Sequence, residues 1–112
     1  MSRREEAGAA VQRALAGCMG PGAAEQLALA QVRLAWSEVT VEARLERGPL
    51  NSRIARVTGG TAHVEASDPI LAQELTLRAE GLVWSVNRRM AGRPGATIEL
   101  RRLAVSVGPG TR

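Results

Sequence analysis

Few residues of this chain carry side chains that commonly do chemistry. The single histidine, His63, lies in a segment of alternating residues and faces away from Val64, and the single cysteine, Cys18, lies on the apolar side of a predicted helix. One histidine and one cysteine cannot build a tetrahedral zinc site, and a chain without lysine has no Walker-type phosphate loop. We therefore predict no catalytic, cofactor-binding or metal-binding residue, and a protein that is not an enzyme.

A glycine-rich tetrapeptide, Gly92-Arg93-Pro94-Gly95, has the Gly-x-x-Gly form with which KH domains grip single-stranded nucleic acid. That grip needs a loop between two helices, whereas this tetrapeptide follows the last predicted helix and precedes a predicted strand. Pro94 also removes one backbone donor. We therefore interpret the tetrapeptide as a helix stop followed by a turn.

The charged residues permit weak binding to nucleic acid but do not require it, and a solvated mixed-charge surface is the alternative. The formal net charge is +4, and all 15 basic residues are arginine, which suits forked contacts with phosphates. Glu38, Glu42 and Glu46 share one helix side at four-residue spacing, which favours a solvated edge beside neighbouring arginines over a hydrolase pair. Convergent arginines would bind phosphates in a salt-dependent, sequence-blind way, although the chain has no Phe or Tyr to stack on bases. The predicted nucleic-acid-binding residues are Arg53, Arg56, Arg93, Arg101 and Arg102.

Trp84 is the apolar residue that fits least well into a core. On an unbroken helix it points away from the core stripe together with Leu77, seven residues earlier, and an exposed tryptophan is typical of interface hot spots. The alternative is that Gly81 breaks the helix and rotates Trp84 inward, whereas Trp36 lies in a core stripe of its own helix. The predicted partner-binding residues are Leu77, Trp84, Arg78, Arg88 and Arg89.

Composition and length favour one small domain. The chain has 112 residues, of which 45% are hydrophobic and 23% charged, values that exclude a disordered chain. We predict one domain over residues 1–107 and a disordered end over 108–112. A single cysteine excludes an internal disulfide, and no apolar run resembles a secretory signal or a membrane span. We therefore expect a cytoplasmic protein without a membrane or a small-molecule partner.

The first half of the chain predicts two helices and a hairpin. Ser2 caps a helix that runs to Met19, and a second helix runs from Ala23 to Leu45 or Glu46. The second helix has two apolar sides, so we expect it to lie between the sheet and the first helix. Strands over 53–58 and 61–66 flank Gly59-Gly60, a pair that supplies the positive φ angles of a tight hairpin turn.

The second half predicts one long helix and a final strand. Asp68 is the N-cap and Pro69 the first residue of a helix that ends before Gly92, with a bend or break at Gly81. Residues 97–107 alternate as the last strand. A change of phase between Leu100 and Leu103 predicts a β-bulge at residues 101–102.

The resulting order, α-α-β-β-α-β, predicts an α+β fold in which a three-stranded sheet packs on helices. If the third helix is broken, the connectivity is the αββααβ order of the type II KH-like fold.

The order of several residues resembles the KH-like domain of the bacterial DciA family. The shared pattern is a helical Trp, a Pro, an alternating strand, a small-acidic-Leu step and an apolar pair before a helix-ending Asn. The chain departs from it at Val41, where the family has glycine, and at Leu71, where it has an aromatic residue. The residues that match are Trp36, Val39, Pro49, Val64, Ala72-Gln73-Glu74-Leu75, Leu82-Val83 and Val86-Asn87.

The resemblance implies a DNA-replication adaptor that recruits or loads the replicative, DnaB-type helicase hexamer, with auxiliary binding of single-stranded DNA. Proteins of this kind act in the cytoplasm, at the nucleoid when bound to the replication machinery. Two alternatives stay open from the residues alone. One is a stand-alone KH-like module that binds single-stranded RNA or DNA, and the other is a self-associating domain that uses the apolar patch around Trp84.

Overall fold

The computed structural model describes residues 22–108, which form three helices and three strands. In chain order the elements are α1 (Ala23–Glu42), β1 (Ser52–Thr58), β2 (Thr61–Ala66), α2 (Pro69–Leu77), α3 (Ala79–Met90) and β3 (Arg102–Val107). The predicted helix over 2–19, the burial of Cys18 and the C-terminal end beyond residue 108 lie outside the described residues.

Helix α1 buries one side, as its spacing predicts. Its buried residues include Val32, Ala35, Trp36 and Val39, and the indole N–H of Trp36 donates to Ser52 Oγ at 3.1 Å. The helix ends at Glu42, earlier than predicted. The chain turns there because Arg44 adopts a left-handed φ of 60°, a conformation that no helix can continue through.

The residues of the second predicted apolar side of α1 differ in their exposure to solvent. Leu34 and Val41 are exposed, whereas Leu45, beyond the end of the helix, is buried in the core. The predicted contact of this side with the first helix lies outside the described residues.

The hairpin of β1 and β2 confirms the prediction. Gly59 and Gly60 have φ angles of 56° and 82°, so both central residues of the turn are left-handed. The two strands pair antiparallel, and Ala62, Val64 and Ala66 of β2 are all buried. The alternation of apolar residues therefore gave the correct inner face of the central strand.

The long predicted helix is broken, but at Arg78 and not at Gly81. Asp68 caps α2 by accepting hydrogen bonds from the N–H groups of Ile70 and Leu71. At Arg78 the backbone takes φ −101° and ψ 9°, which a non-glycine residue tolerates, and α3 begins at the next residue. The break lets α2 pack on β2 and β3 while α3 packs on α1 and β3.

Strand β3 begins later than predicted. It runs from Arg102 to Val107, lies parallel to β2, and leaves β2 at the centre of the order β1-β2-β3. Leu100 is not in the strand because the side chain of Asn87 on α3 binds its backbone. Asn87 Nδ2 donates to Leu100 O and Asn87 Oδ1 accepts from Leu100 N, both at 2.8 Å. The N–H groups of Arg101 and Arg102 both donate to Gly60 O, at 2.7 and 3.3 Å, so the predicted irregularity at residues 101–102 lies at the start of the shortened strand.

The α+β class is confirmed, with a mixed three-stranded sheet packed against helices and the element order αββααβ. One apolar cluster joins α1, the inner side of the sheet, α2 and α3, and its largest fully buried side chains are Trp36, Ile54, Leu75 and Leu100. Among residues 22–108, no helix is long and apolar enough to cross a membrane.

Candidate functional site

A β-bulge in β1 determines where its two arginines lie. Ile54 pairs with Val64 and Arg56 pairs with His63, so Ala55 is an extra residue without a partner on β2. Arg33 of α1 holds this irregularity by donating to the carbonyl oxygens of Ile54 and Ala55, at 2.9 and 3.0 Å. In a regular strand, residues three apart point to opposite sides; the extra residue brings Arg53 and Arg56 to the same side.

The side of the sheet opposite the core, which we call the open sheet face, carries these arginines. Directly paired residues on neighbouring strands share a face, so the pairings with β2 define its members. Arg53 and Arg102 are exposed at opposite ends of it, and His63 lies half-buried at its centre. The open sheet face consists of Arg53, Arg56, Thr58, Thr61, His63, Glu65, Arg102, Ala104 and Ser106.

The charges on the open sheet face are mostly positive. Glu65 is its one carboxylate, and it forms an ion pair with Arg53, Nη2 to Oε1 at 2.8 Å. Arg56 and Arg102 form no ion pair with any residue of the 22–108 segment. Arg101 lies at the border of this face, where its side chain would lie 3.1 Å from a Cβ added at Gly60. Within residues 22–108, the face therefore offers two guanidinium groups without an ion pair and a third that is partly neutralised.

Arg89 and Arg93 lie elsewhere, between α3 and α1. Arg93 Nη2 donates to Glu38 Oε1 at 2.6 Å, Arg89 Nη1 approaches the same oxygen at 3.4 Å, and Arg89 Nη2 donates to Glu42. The hydrogen bond from Arg93 holds the pKa of Glu38 below its ordinary value. The hydrogen bond to Glu42 raises the pKa of Arg89. Both arginines are thus engaged within the chain, and neither adds to the open sheet face.

Trp84 lies on the outer side of α3. It is 61% exposed, and the Arg88 guanidinium lies over its ring, 5.1 Å from the ring centroid. The alternative, in which a break near Gly81 buries the indole, is wrong. Leu77, at the end of α2, is 75% exposed, but its predicted common face with Trp84 assumed an unbroken helix and does not follow across the break. Arg78, at that break, forms an ion pair with Glu74.

Two features bear on the chemistry that these surfaces allow. Gly92 and Gly95 have φ angles of 83° and 78° after the end of α3, which confirms a helix stop and a turn. The junction between α2 and α3 consists of Arg78 alone, so no Gly-x-x-Gly loop lies there. Within residues 22–108, no group of three or more His, Cys, Asp or Glu side chains could hold a metal ion.

Sequence reasoning missed the position of His63 on a basic face and the role of Arg33. A signal for the basic face was present: Ile54 and Val57 are apolar residues three apart in one short strand, and they can both face the core only if a bulge lies between them. Arg33 carried no comparable signal, because its acceptors are backbone carbonyls exposed by that bulge.

No protein-family model matches the chain, and no curated protein or solved structure is significantly similar to it. The likeness to the DciA family therefore depends on the ordered residues from Trp36 to Asn87 alone.

Proposed function

We propose that this protein is a non-enzymatic adaptor of DNA replication that recruits or loads the replicative, DnaB-type helicase of bacteria. The ordered resemblance from Trp36 to Asn87 supports the choice of partner. The observation that carries a binding role is the exposed indole of Trp84, held under the guanidinium of Arg88 on the outer side of α3. Such an adaptor would act in the cytoplasm, at the nucleoid when bound to the replication machinery.

Leaving the apolar surface of an indole in water costs free energy. A tryptophan buries a large apolar area when a partner covers it, and a stacked guanidinium supplies a rigid polar rim to the same contact. Such residues carry a large share of the binding free energy at protein interfaces. Arg78 and Leu77, at the end of α2, would extend the contact, whereas Arg89 is engaged with Glu38 and Glu42.

The direct test is binding of the full chain to the purified replicative helicase, measured by light scattering or calorimetry. We expect Trp84→Ala to weaken the complex by about 2 kcal/mol or more, roughly 30-fold in dissociation constant. Its matched control is Leu34→Ala, which truncates another exposed side chain, 51% accessible, on α1. Unchanged affinity of a folded Trp84→Ala variant would remove this surface, and no complex with wild-type protein would remove the helicase as partner.

A second function, binding of single-stranded nucleic acid, is favoured by the bulge at Ala55. The bulge aligns Arg53 and Arg56 on one face of the sheet, and β3 adds Arg102 to that face. No Phe, Tyr or Trp side chain lies among the residues of the open sheet face, so the attraction would be mainly electrostatic and insensitive to sequence. We expect weak binding to a single-stranded oligonucleotide at about 50 mM salt that disappears at physiological salt. Absence of binding at low salt would exclude this role.

A further inference from the structure

The two edges of the sheet differ in how they are protected. On β1, the bulge at Ala55 distorts the strand, and Arg33 occupies the carbonyl oxygens of Ile54 and Ala55. Bulges and charged side chains are the usual devices that prevent a second strand from joining an edge. Strand β3 pairs with β2 in six consecutive residues without a register shift, and its one charged residue, Arg102, lies at its first position, so the rest of its edge has neither device.

The backbone of β3 alternates between β2 and the outer edge. The N–H groups of Arg102 and Gly108 donate to Gly60 O and Ala66 O, at 3.3 and 2.9 Å, so even-numbered residues bond to β2. The N–H and C=O groups of Leu103, Val105 and Val107 consequently point outward. Within residues 22–108, none of these outward groups has a hydrogen-bond partner.

We propose that this edge binds β3 of a second copy of the chain, in an antiparallel pair with its two-fold axis at Val105. In this register Val105 lies opposite Val105 of the other copy and Leu103 lies opposite Val107, so the three residues with outward backbone groups pair with each other. About six hydrogen bonds form. Val107 is 49% exposed in the isolated chain, and this pairing covers it with Leu103.

The charges and side-chain sizes select this arrangement over others. Antiparallel pairing places Arg102 opposite Gly108 of the other copy, far from the second Arg102, whereas parallel pairing would place the two arginines side by side. Ala104 and Ser106 face each other on the open sheet face and are small enough to avoid a clash. The apolar row of Leu103, Val105 and Val107 is self-complementary, which is what a two-fold interface requires.

The edge is short, so the dimer belongs to the class of weak interfaces, and the test must reach high concentration. Sedimentation equilibrium of the full chain up to about 1 mM should show a monomer–dimer equilibrium. Val107→Glu places a carboxylate in the apolar row and should weaken association at least about tenfold. The matched control is Val41→Glu, the same substitution at an exposed valine of α1, and it should leave association unchanged.

Two further measurements locate the interface. Val107→Pro removes one outward N–H at a position that an edge strand tolerates, and it should also weaken association. In wild-type protein, amide hydrogen exchange at Leu103, Val105 and Val107 should slow as concentration rises. A wild-type chain that stays monomeric at about 1 mM overturns the proposal. So does association that survives both Val107 variants, or one that Trp84→Ala abolishes while Val107→Glu does not.

Discussion

The helical layer and the open sheet face both carry arginines, but the two sets have different surroundings. Between α1 and α3, Arg89 and Arg93 meet Glu38 and Glu42, and every guanidinium has a carboxylate partner. On the open sheet face, Arg56 and Arg102 have no such partner among the described residues. The same residue type therefore joins two helices in one region and remains available to a ligand in the other.

The positions of the carboxylates, more than those of the arginines, therefore decide which basic residues can bind phosphate. Glu38 and Glu42 are one helical turn apart on α1, so Arg89 of α3 reaches both of them, and Arg93, in the turn after α3, reaches Glu38. The open sheet face has only Glu65, which reaches Arg53. Net charge alone could not separate these two regions.

Truncating Ile54 should have the largest effect, because this residue packs into the core beneath the open sheet face, directly before the bulge. Ile54 is 1% exposed and pairs with Val64, so Ile54→Ala should lower the free energy of unfolding, measured in urea, by about 3 kcal/mol. Deleting Ala55 is the milder change, because it removes the residue without a partner on β2 and leaves a regular ladder. In that ladder Arg53 and Arg56 are two apart and still share a face. An equal or larger loss of stability in the deletion variant would contradict this account of the face.

Local patterns were enough to predict part of this architecture. The glycine pair at residues 59–60 fixed the hairpin, the alternation in β2 gave its buried face, and Asp68 with Pro69 marked the start of α2. The exposure of Trp84 also followed from helical spacing, because its position relative to Val86 and Leu82 is set within α3 itself. These features depend on neighbours within a few residues.

The remaining features depend on contacts between distant segments. The end of α2 at Arg78 has no sequence signal, since no glycine or proline lies there and the bend is stabilised by packing of α2 on β2 and β3 and of α3 on α1 and β3. The alternation from Thr97 onward resembles a strand, but Asn87 binds the backbone of Leu100 from α3 and delays the strand to Arg102. Likewise, the pairing of Arg93 with Glu38 joins residues 55 positions apart.

Replacing Arg56 and Arg102, which form no ion pair among the described residues, tests whether the open sheet face binds DNA. The double variant Arg56→Ala, Arg102→Ala should lower affinity for single-stranded DNA about tenfold at low salt, and should reduce the salt slope by about 0.7 per lost contact. Because both side chains are exposed, the free energy of unfolding should change by less than about 0.5 kcal/mol. Arg78→Ala removes a charge on the helical side and serves as the control. Equal losses in both proteins would mean that net charge, and not this face, attracts DNA.

A substitution at Arg89 tests whether the arginines paired between α1 and α3 serve the fold and not DNA binding. Arg89→Gln removes the guanidinium that contacts both Glu38 and Glu42, and should lower the thermal midpoint by a few degrees at most, because the pairs are partly solvated. Affinity for single-stranded DNA should stay unchanged in the same protein. Calorimetric melting and DNA titration of one preparation measure both quantities. If Arg89→Gln lowered the affinity for DNA without changing the thermal midpoint, the arginines between α1 and α3, and not those of the open sheet face, would bind DNA.

Lowering the pH should have the smallest effect, a loss of the stabilisation that Glu38 contributes between α1 and α3. The pKa of Glu38 is lowered in the folded chain by its hydrogen bond from Arg93, so the folded state holds this proton less tightly than the unfolded state does. The stabilisation is therefore complete above the ordinary glutamate pKa, and it is lost as pH falls through that value toward the lowered one. Urea unfolding of wild type and Glu38→Gln should differ at pH 7, and the difference should shrink across this acid range. High salt should reduce it as well, because the pair is partly solvated. Glu46→Gln changes a glutamate without an ion pair among residues 22–108 and is the control. If the difference in free energy of unfolding between wild type and Glu38→Gln does not depend on pH, the carboxylate contributes by packing and not by charge.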